Sequence, residues 1–132
     1  MAYVLGFLYA DGSLEYAPYI RGKYLRVTNT DRDRIEAIKR ALKSEHRIVT
    51  EEKGGNYKPR YLLRIGSRLL YDRLVEIGLT PKKSLVMKFP DVPINCIGSF
   101  VRGYFDGDGC AYLEMRPTGK PKRLLTVFTS GS

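Results

Sequence analysis

The chain has 132 residues, 43% of them apolar, with ten Tyr and five Phe, which predicts one folded domain rather than a disordered tail. Its 23 Lys and Arg against 14 Asp and Glu leave a net charge of +9, pointing to a polyanionic partner, most commonly nucleic acid. No apolar run approaches the roughly 18 residues of a membrane span, and the start does not read as a signal peptide.

One histidine, His46, and two cysteines, Cys96 and Cys110, are too few for a zinc site or a disulfide framework, so the chain reads as a reduced, cytoplasmic protein of a bacterial or archaeal cell or an organelle matrix. A Gly-x-Ser-x-Gly elbow and a phosphate-binding Gly-x-x-x-x-Gly-Lys loop are both missing from the sequence. Any catalysis is left to carboxylates, lysines and a metal.

In chain order, residues 3–10 predict a short apolar helix, with Gly12 as its left-handed terminator. Residues 14–19 and 24–29 predict a hairpin turning at Arg21-Gly22-Lys23. Leu25 and Val27 alternate there with Tyr24, Arg26 and Thr28, as in a half-buried strand. Thr30 or Asp31 can cap a helix carrying Ile35, Ile38, Ala41 and Leu42 at helical spacing. Residues 47–53 and 60–65 predict a second hairpin around Gly54-Gly55-Asn56. Ser67 can cap a helix with Leu70, Leu74 and Ile77 on one face and Gly78 at its end. Pro81, Pro90 and Pro93 mark a linker, and another helix begins at Cys96.

The chain repeats itself. Val4-Leu5-Gly6-Phe7-Leu8-Tyr9-Ala10-Asp11-Gly12 matches Val101-Arg102-Gly103-Tyr104-Phe105-Asp106-Gly107-Asp108-Gly109, 97 residues later. Strand residues 25–30 resemble 125–130 at a separation of 100. Residues 1–93 therefore form one complete helix–hairpin–helix–hairpin–helix unit with its linker. Residues 94–132 are expected to supply only the helix and first hairpin of a second unit, so the chain reads as a fragment.

Gly6 and Ala10, like Gly103 and Gly107, are spaced to give a flat helix face on which two backbones approach closely. Packing these helices side by side brings Asp11 and Asp108 together, each at the negative end of a helix dipole and near a like charge. A divalent cation relieves both penalties. Arg21, Lys23, Tyr24, Arg26, Thr28, Lys58, Arg60 and Arg64 of the first unit, with Arg116, Lys120, Lys122, Arg123 and Thr126 of the second, are candidates for a curved basic sheet that enters a DNA groove.

Two helices ending in small-Asp-Gly about 100 residues apart, each followed by a basic hairpin, resemble the LAGLIDADG homing endonucleases. Tyr9 departs from the family motif, whose first Asp the second copy keeps as Asp106. The resemblance implies an α+β fold, one complete αββαββα repeat plus part of a second. It also implies magnesium-dependent double-strand cleavage of a long DNA site, by an enzyme of a mobile intron, an intein or a free-standing gene. Asp11 and Asp108, with the carbonyls of Ala10 and Gly107, would hold the metal, and Lys83 or Lys88 would serve as the catalytic lysine. The alternatives are a DNA-binding regulator that has lost the chemistry and an intron RNA maturase. The partial repeat also predicts self-association, a swapped hairpin or a complementing chain.

Overall fold

The computed structural model describes residues 1–52, 54–55, 57–81 and 89–128. The first unit comprises α1 (Ala2–Asp11), β1 (Gly12–Ala17), a 3-10 turn (Pro18–Ile20), β2 (Gly22–Asn29), α2 (Arg32–Ala41), β3 (Ile48–Glu51), β4 (Arg60–Gly66) and α3 (Arg68–Ile77). A second 3-10 turn (Ile94–Cys96) leads into α4 (Ile97–Asp108), β5 (Gly109–Met115) and β6 (Pro121–Phe128). The fold is α+β. Four antiparallel strands lie in the order β1-β2-β4-β3, and β5 and β6 pair separately.

Helix α1 is apolar around its whole circumference, and Val4, Phe7, Leu8, Tyr9 and Ala10 are all buried. A helix of that kind has no wet face and belongs in the interior. It packs with α4 and against the core of the first unit. Leu25 and Val27 of β2 and Leu63 and Ile65 of β4 face Ile35 and Ile38 of α2 and Tyr71 and Leu74 of α3 in one buried cluster.

The Asp31 carboxylate caps α2 by accepting from the Asp33 N–H, and the Ser67 hydroxyl caps α3 by accepting from the Leu70 N–H. Such caps contribute about 1 kcal/mol each. Gly78 ends α3 in the left-handed conformation. On α3 the buried aromatic is Tyr71, a position the apolar spacing passed over, whereas Ile77 is 43% exposed. His46 is exposed, and its Nε2 accepts from the Gly66 N–H at 3.3 Å.

Three expectations are corrected. Gly12 is not left-handed: its backbone is extended (φ −82°, ψ 151°) and opens β1 directly. Glycine is needed there for space, because a Cβ would stand 2.5 Å from the Leu8 carbonyl oxygen. The first hairpin turns through Pro18–Ile20 and the left-handed Arg21 (φ 49°) rather than at Arg21-Gly22-Lys23, since Gly22 and Lys23 already belong to β2.

The third correction concerns register. Gly12 pairs with Val27 and Gly109 with Phe128, so the equivalent strands are 101 residues apart rather than 100. A shift of one residue exchanges the two faces of a strand. Val127 is thus the counterpart of Arg26, and Phe128 the counterpart of Val27.

Candidate nuclease site

The paired helices cross with a local twofold pattern. A Cβ on Gly6 would stand 1.9 Å from the Phe100 carbonyl oxygen and 2.9 Å from the Tyr104 nitrogen. A Cβ on Gly103 would stand 1.9 Å from the Tyr3 carbonyl oxygen and 3.0 Å from the Phe7 nitrogen. Each glycine thus meets the residues three before and one after its counterpart, as in an isologous contact. Farther along, a Cβ on Gly107 would stand 2.4 Å from the Ala10 Cβ. The helices therefore run parallel, and their carboxyl ends meet.

Asp11 and Asp108 follow Ala10 and Gly107 at those joined ends. The Asp11 carboxylate lies beside Gly107, where a Cβ would be 3.6 Å from its Oδ2. The Asn29 side-chain N–H donates to Asp11 Oδ2 at 2.5 Å, while Asn29 Oδ1 accepts from the Asp31 N–H at 2.8 Å. These two bonds fix the orientation of the amide and tie Asp11 to the start of α2. Asp108 is exposed and Asp11 half-buried. Only oxygen is on offer here, from carboxylates and from main-chain carbonyls at helix ends, and that chemistry suits a hard divalent cation. Among the described residues no group of three or more His, Cys, Asp and Glu side chains could hold a metal. A cation held by so few side chains would complete its shell with water, as magnesium commonly does.

The twofold pattern breaks at the aromatic positions. Tyr3 donates to Asp106 Oδ2 at 2.9 Å, but the equivalent pair on the other side is Phe100 and Tyr9, two rings meeting edge to face at 5.6 Å. Tyr9 instead donates to the Ile77 carbonyl oxygen at 3.1 Å. Burial raises the pKa of both phenols, and at Tyr3 the bond to Asp106 raises it further.

The sheet of the first unit has a helix-covered face and an open one. Tyr24, Arg26, Thr28, Arg60 and Arg64 fall on the open face by strand alternation. Glu15 organises it, accepting from Arg64 Nη2 at 2.8 Å with the Arg26 Nε at 3.9 Å. The Arg64 guanidinium stacks 3.7 Å from the centre of the Tyr24 ring. Lys58 and Arg60, both exposed, border an open cleft of about 450 Å³ with Thr30 and Tyr57. Arg21 is exposed at the hairpin turn.

Lys23 is a correction. It shares parity with Leu25 and Val27, so it turns to the helix side, pairs with Asp72 of α3 and lies over the Tyr71 ring.

In the second hairpin Arg116 and Lys120 form the turn, joined by the Arg116 N–H to Lys120 carbonyl bond. Lys122 and Arg123 both donate to Glu114, at 2.9 and 2.5 Å. Thr126 is also corrected. It lies on the face of Phe128, which packs against Tyr104 and Phe105 of α4, and its counterpart is the buried Leu25. Lys83 and Lys88 lie outside the described residues, as do Lys53 and Asn56 of the predicted second hairpin. Sequence reasoning missed Glu15 and Asn29. The only signal for Asn29 was its place two residues before the α2 cap, where Asn commonly bonds to nearby backbone.

The LAGLIDADG-like domain model matches residues 1–78. Solved structures share the fold at low sequence identity. The homing endonuclease I-DmoI matches at 18% identity and a TM-score of 0.53, covering 83% of this chain and 61% of its own. I-GzeII in complex with its DNA target matches at 11% and 0.56, covering 95% and 63%. I-LtrWI bound to target DNA matches at 13% and 0.54, covering 95% and 63%. The chain thus spans about three-fifths of the length of these endonucleases. No curated protein matches it in sequence.

Proposed function

Because this chain belongs to the LAGLIDADG-like domain family, we propose that it is a DNA endonuclease that hydrolyses both strands of a specific duplex with a divalent cation, magnesium in the cell. The observation that carries this reading is the glycine-mediated pairing of α1 and α4, which delivers Asp11 and Asp108 to one place between two hairpins. I-DmoI has been crystallised on its target DNA with manganese and with calcium, which supports a divalent cation at the equivalent site.

Asp11 and Asp108, with the carbonyls of Ala10 and Gly107, would hold the metal. The cation supplies Lewis acidity at the scissile phosphates and a more acidic bound water. Asn29 holds the Asp11 carboxylate in one orientation. The open face around Arg26 and Arg64 meets base edges in the groove, and Lys58 and Arg60 beside it bind and orient the phosphate backbone. Lys83 or Lys88 remains the proposed source of a catalytic lysine.

The second hairpin exposes Leu113, Leu124 and Phe128 on the side facing α4, at 56%, 66% and 52%. That surface favours cover from another polypeptide, either a further copy, by self-association or hairpin exchange, or a complementing chain. Light scattering over a concentration series, with hydrogen exchange, tests this: growth of the particle with concentration is expected, and a stable monomer at high micromolar concentration whose second hairpin is protected from exchange would refute it.

For the activity, a randomised duplex library is incubated with the chain in Mg²⁺, Mn²⁺ or EDTA and the new ends are sequenced. Site-specific ends are expected with either metal and none in EDTA. Asp11→Asn and Asp108→Asn should each abolish cleavage while retaining duplex binding. Cleavage by Asp11→Asn at the parent rate would exclude the metal assignment. Duplex binding without cleavage under every condition would favour the regulator reading.

A further inference from the structure

We infer that the second hairpin reads its half of the DNA site through the C5-methyl groups of thymines, whereas the first reads through charge and hydrogen bonds. The inference rests on the DNA-cleaving function proposed above. Its ground is the register of β5 and β6. The open face of the first hairpin carries Ser13, Glu15, Tyr24 and Arg26 at paired positions. The same positions in the second hairpin hold Cys110 opposite Val127 and Tyr112 opposite Leu125. Where one half presents an arginine held by a carboxylate, the other presents valine, leucine and a tyrosine ring.

This is not the surface of a buried strand, because Tyr112 is 49% and Val127 41% exposed. Nor is it isolated from charge. One pair farther toward the turn, Glu114 gathers Lys122 and Arg123, and Arg116 and Lys120 follow. An apolar strip next to the paired helix ends, bordered by a basic turn, matches a DNA major groove in layout. Phosphates would meet the turn, and base edges would meet the strip. The apolar group that a major groove offers is the thymine methyl, so the strip selects A·T pairs in which that methyl faces the protein. Charge complementarity favours DNA over an apolar protein as the occupant.

The test is a pair of selections from one randomised duplex library, synthesised once with thymidine and once with deoxyuridine, which lacks the methyl. The full chain should enrich thymine in one half-site from the first library and lose that enrichment in the second, with the other half-site unchanged. Binding to a selected duplex should weaken about fourfold for each thymine replaced by uracil in that half, the value of one buried methyl. The variants Val127→Ser and Leu125→Ser remove the apolar methyls from the open face of β6 and should abolish the preference in the same half-site. The same consensus from both libraries, or variants that alter self-association but leave the base preference intact, would overturn the inference while leaving DNA binding standing. Failure to retain any duplex would instead sink the DNA-binding reading itself.

Discussion

The two hairpins that follow the paired helices start from the same backbone geometry and have opposite surroundings. Both begin with an extended glycine directly after a helix and run antiparallel. In the first, Leu25 and Val27 are 1% and 0% exposed beneath α2 and α3. In the second, every described large apolar side chain of β5 and β6 is at least partly open to solvent. The strand ladder and the turn are therefore enough to set the hairpin, and the cover decides what it contributes to stability. Local hydrogen bonds specify shape, whereas burial supplies most of the free energy.

The strongest way to break this comparison is to detach the second unit from the first. Gly103→Ala places a methyl 1.9 Å from a backbone oxygen, which a flexible side chain cannot relieve. The expected cost is about 3 kcal/mol, the upper part of the overpacking range, read by urea denaturation. Gly98→Ala in the same helix meets nothing within 4 Å and should be neutral or stabilising by up to about 1 kcal/mol. Equal effects at the two glycines would refute close helix contact.

A direct measure of cover compares one leucine from each hairpin. Leu25→Ala should cost about 2–5 kcal/mol as a buried truncation. Leu124→Ala, at a residue 66% exposed in the single chain, should stay within about 0.5 kcal/mol when measured at a dilution that keeps the chain monomeric. A large loss at Leu124 at higher concentration would mean that its face is buried in solution against another chain, which sharpens the comparison rather than ending it.

The broken symmetry between the helices gives a smaller effect. Tyr3→Phe makes the two aromatic positions alike and removes the bond to Asp106, for an expected loss of about 1 kcal/mol. The pH dependence should be smaller still. The folded state raises the Tyr3 and Tyr9 pKa values, so their neutral forms are favoured by folding. Stability from this source is fully present below the unfolded phenol pKa of about 10 and is lost as pH rises through the folded values. Denaturation midpoints should therefore hold steady from pH 7 to 9, as far as these tyrosines are concerned, and fall more steeply above pH 10 in the parent than in Tyr3→Phe.

The helix pair and the caps were legible in the sequence because each rests on short-range chemistry: small residues four apart, Asp31 and Ser67 at helix starts, Gly78 at a helix end. The register of β6 was not. Leu124, Leu125, Val127 and Phe128 put apolar residues on both faces, so alternation cannot choose between a separation of 100 and one of 101. The irregularity between Glu114 and Met115 near the turn enters that register, and nothing in the strand itself announces it. Lys23 was misplaced for a related reason. Its residue type suggested a solvent loop, while strand parity and Asp72 draw it to the helix side. Gly12 was right as a glycine and wrong in its reason: crowding by the preceding helical turn, and not a positive φ, demands the missing Cβ.

Each acid stands five residues beyond the glycine at which its helix is clamped, Asp11 beyond Gly6 and Asp108 beyond Gly103. The interval between the acids is thus gauged along rigid helix rather than along loops. One residue inserted between Gly103 and Asp108 would advance the second acid by about 1.5 Å and swing it by about 100° around the helix axis. The same insertion in the turn of the second hairpin would leave both acids in place. Tolerance to insertion should therefore change abruptly at the carboxyl end of α4, with lengthening forbidden on one side and permitted a few residues away.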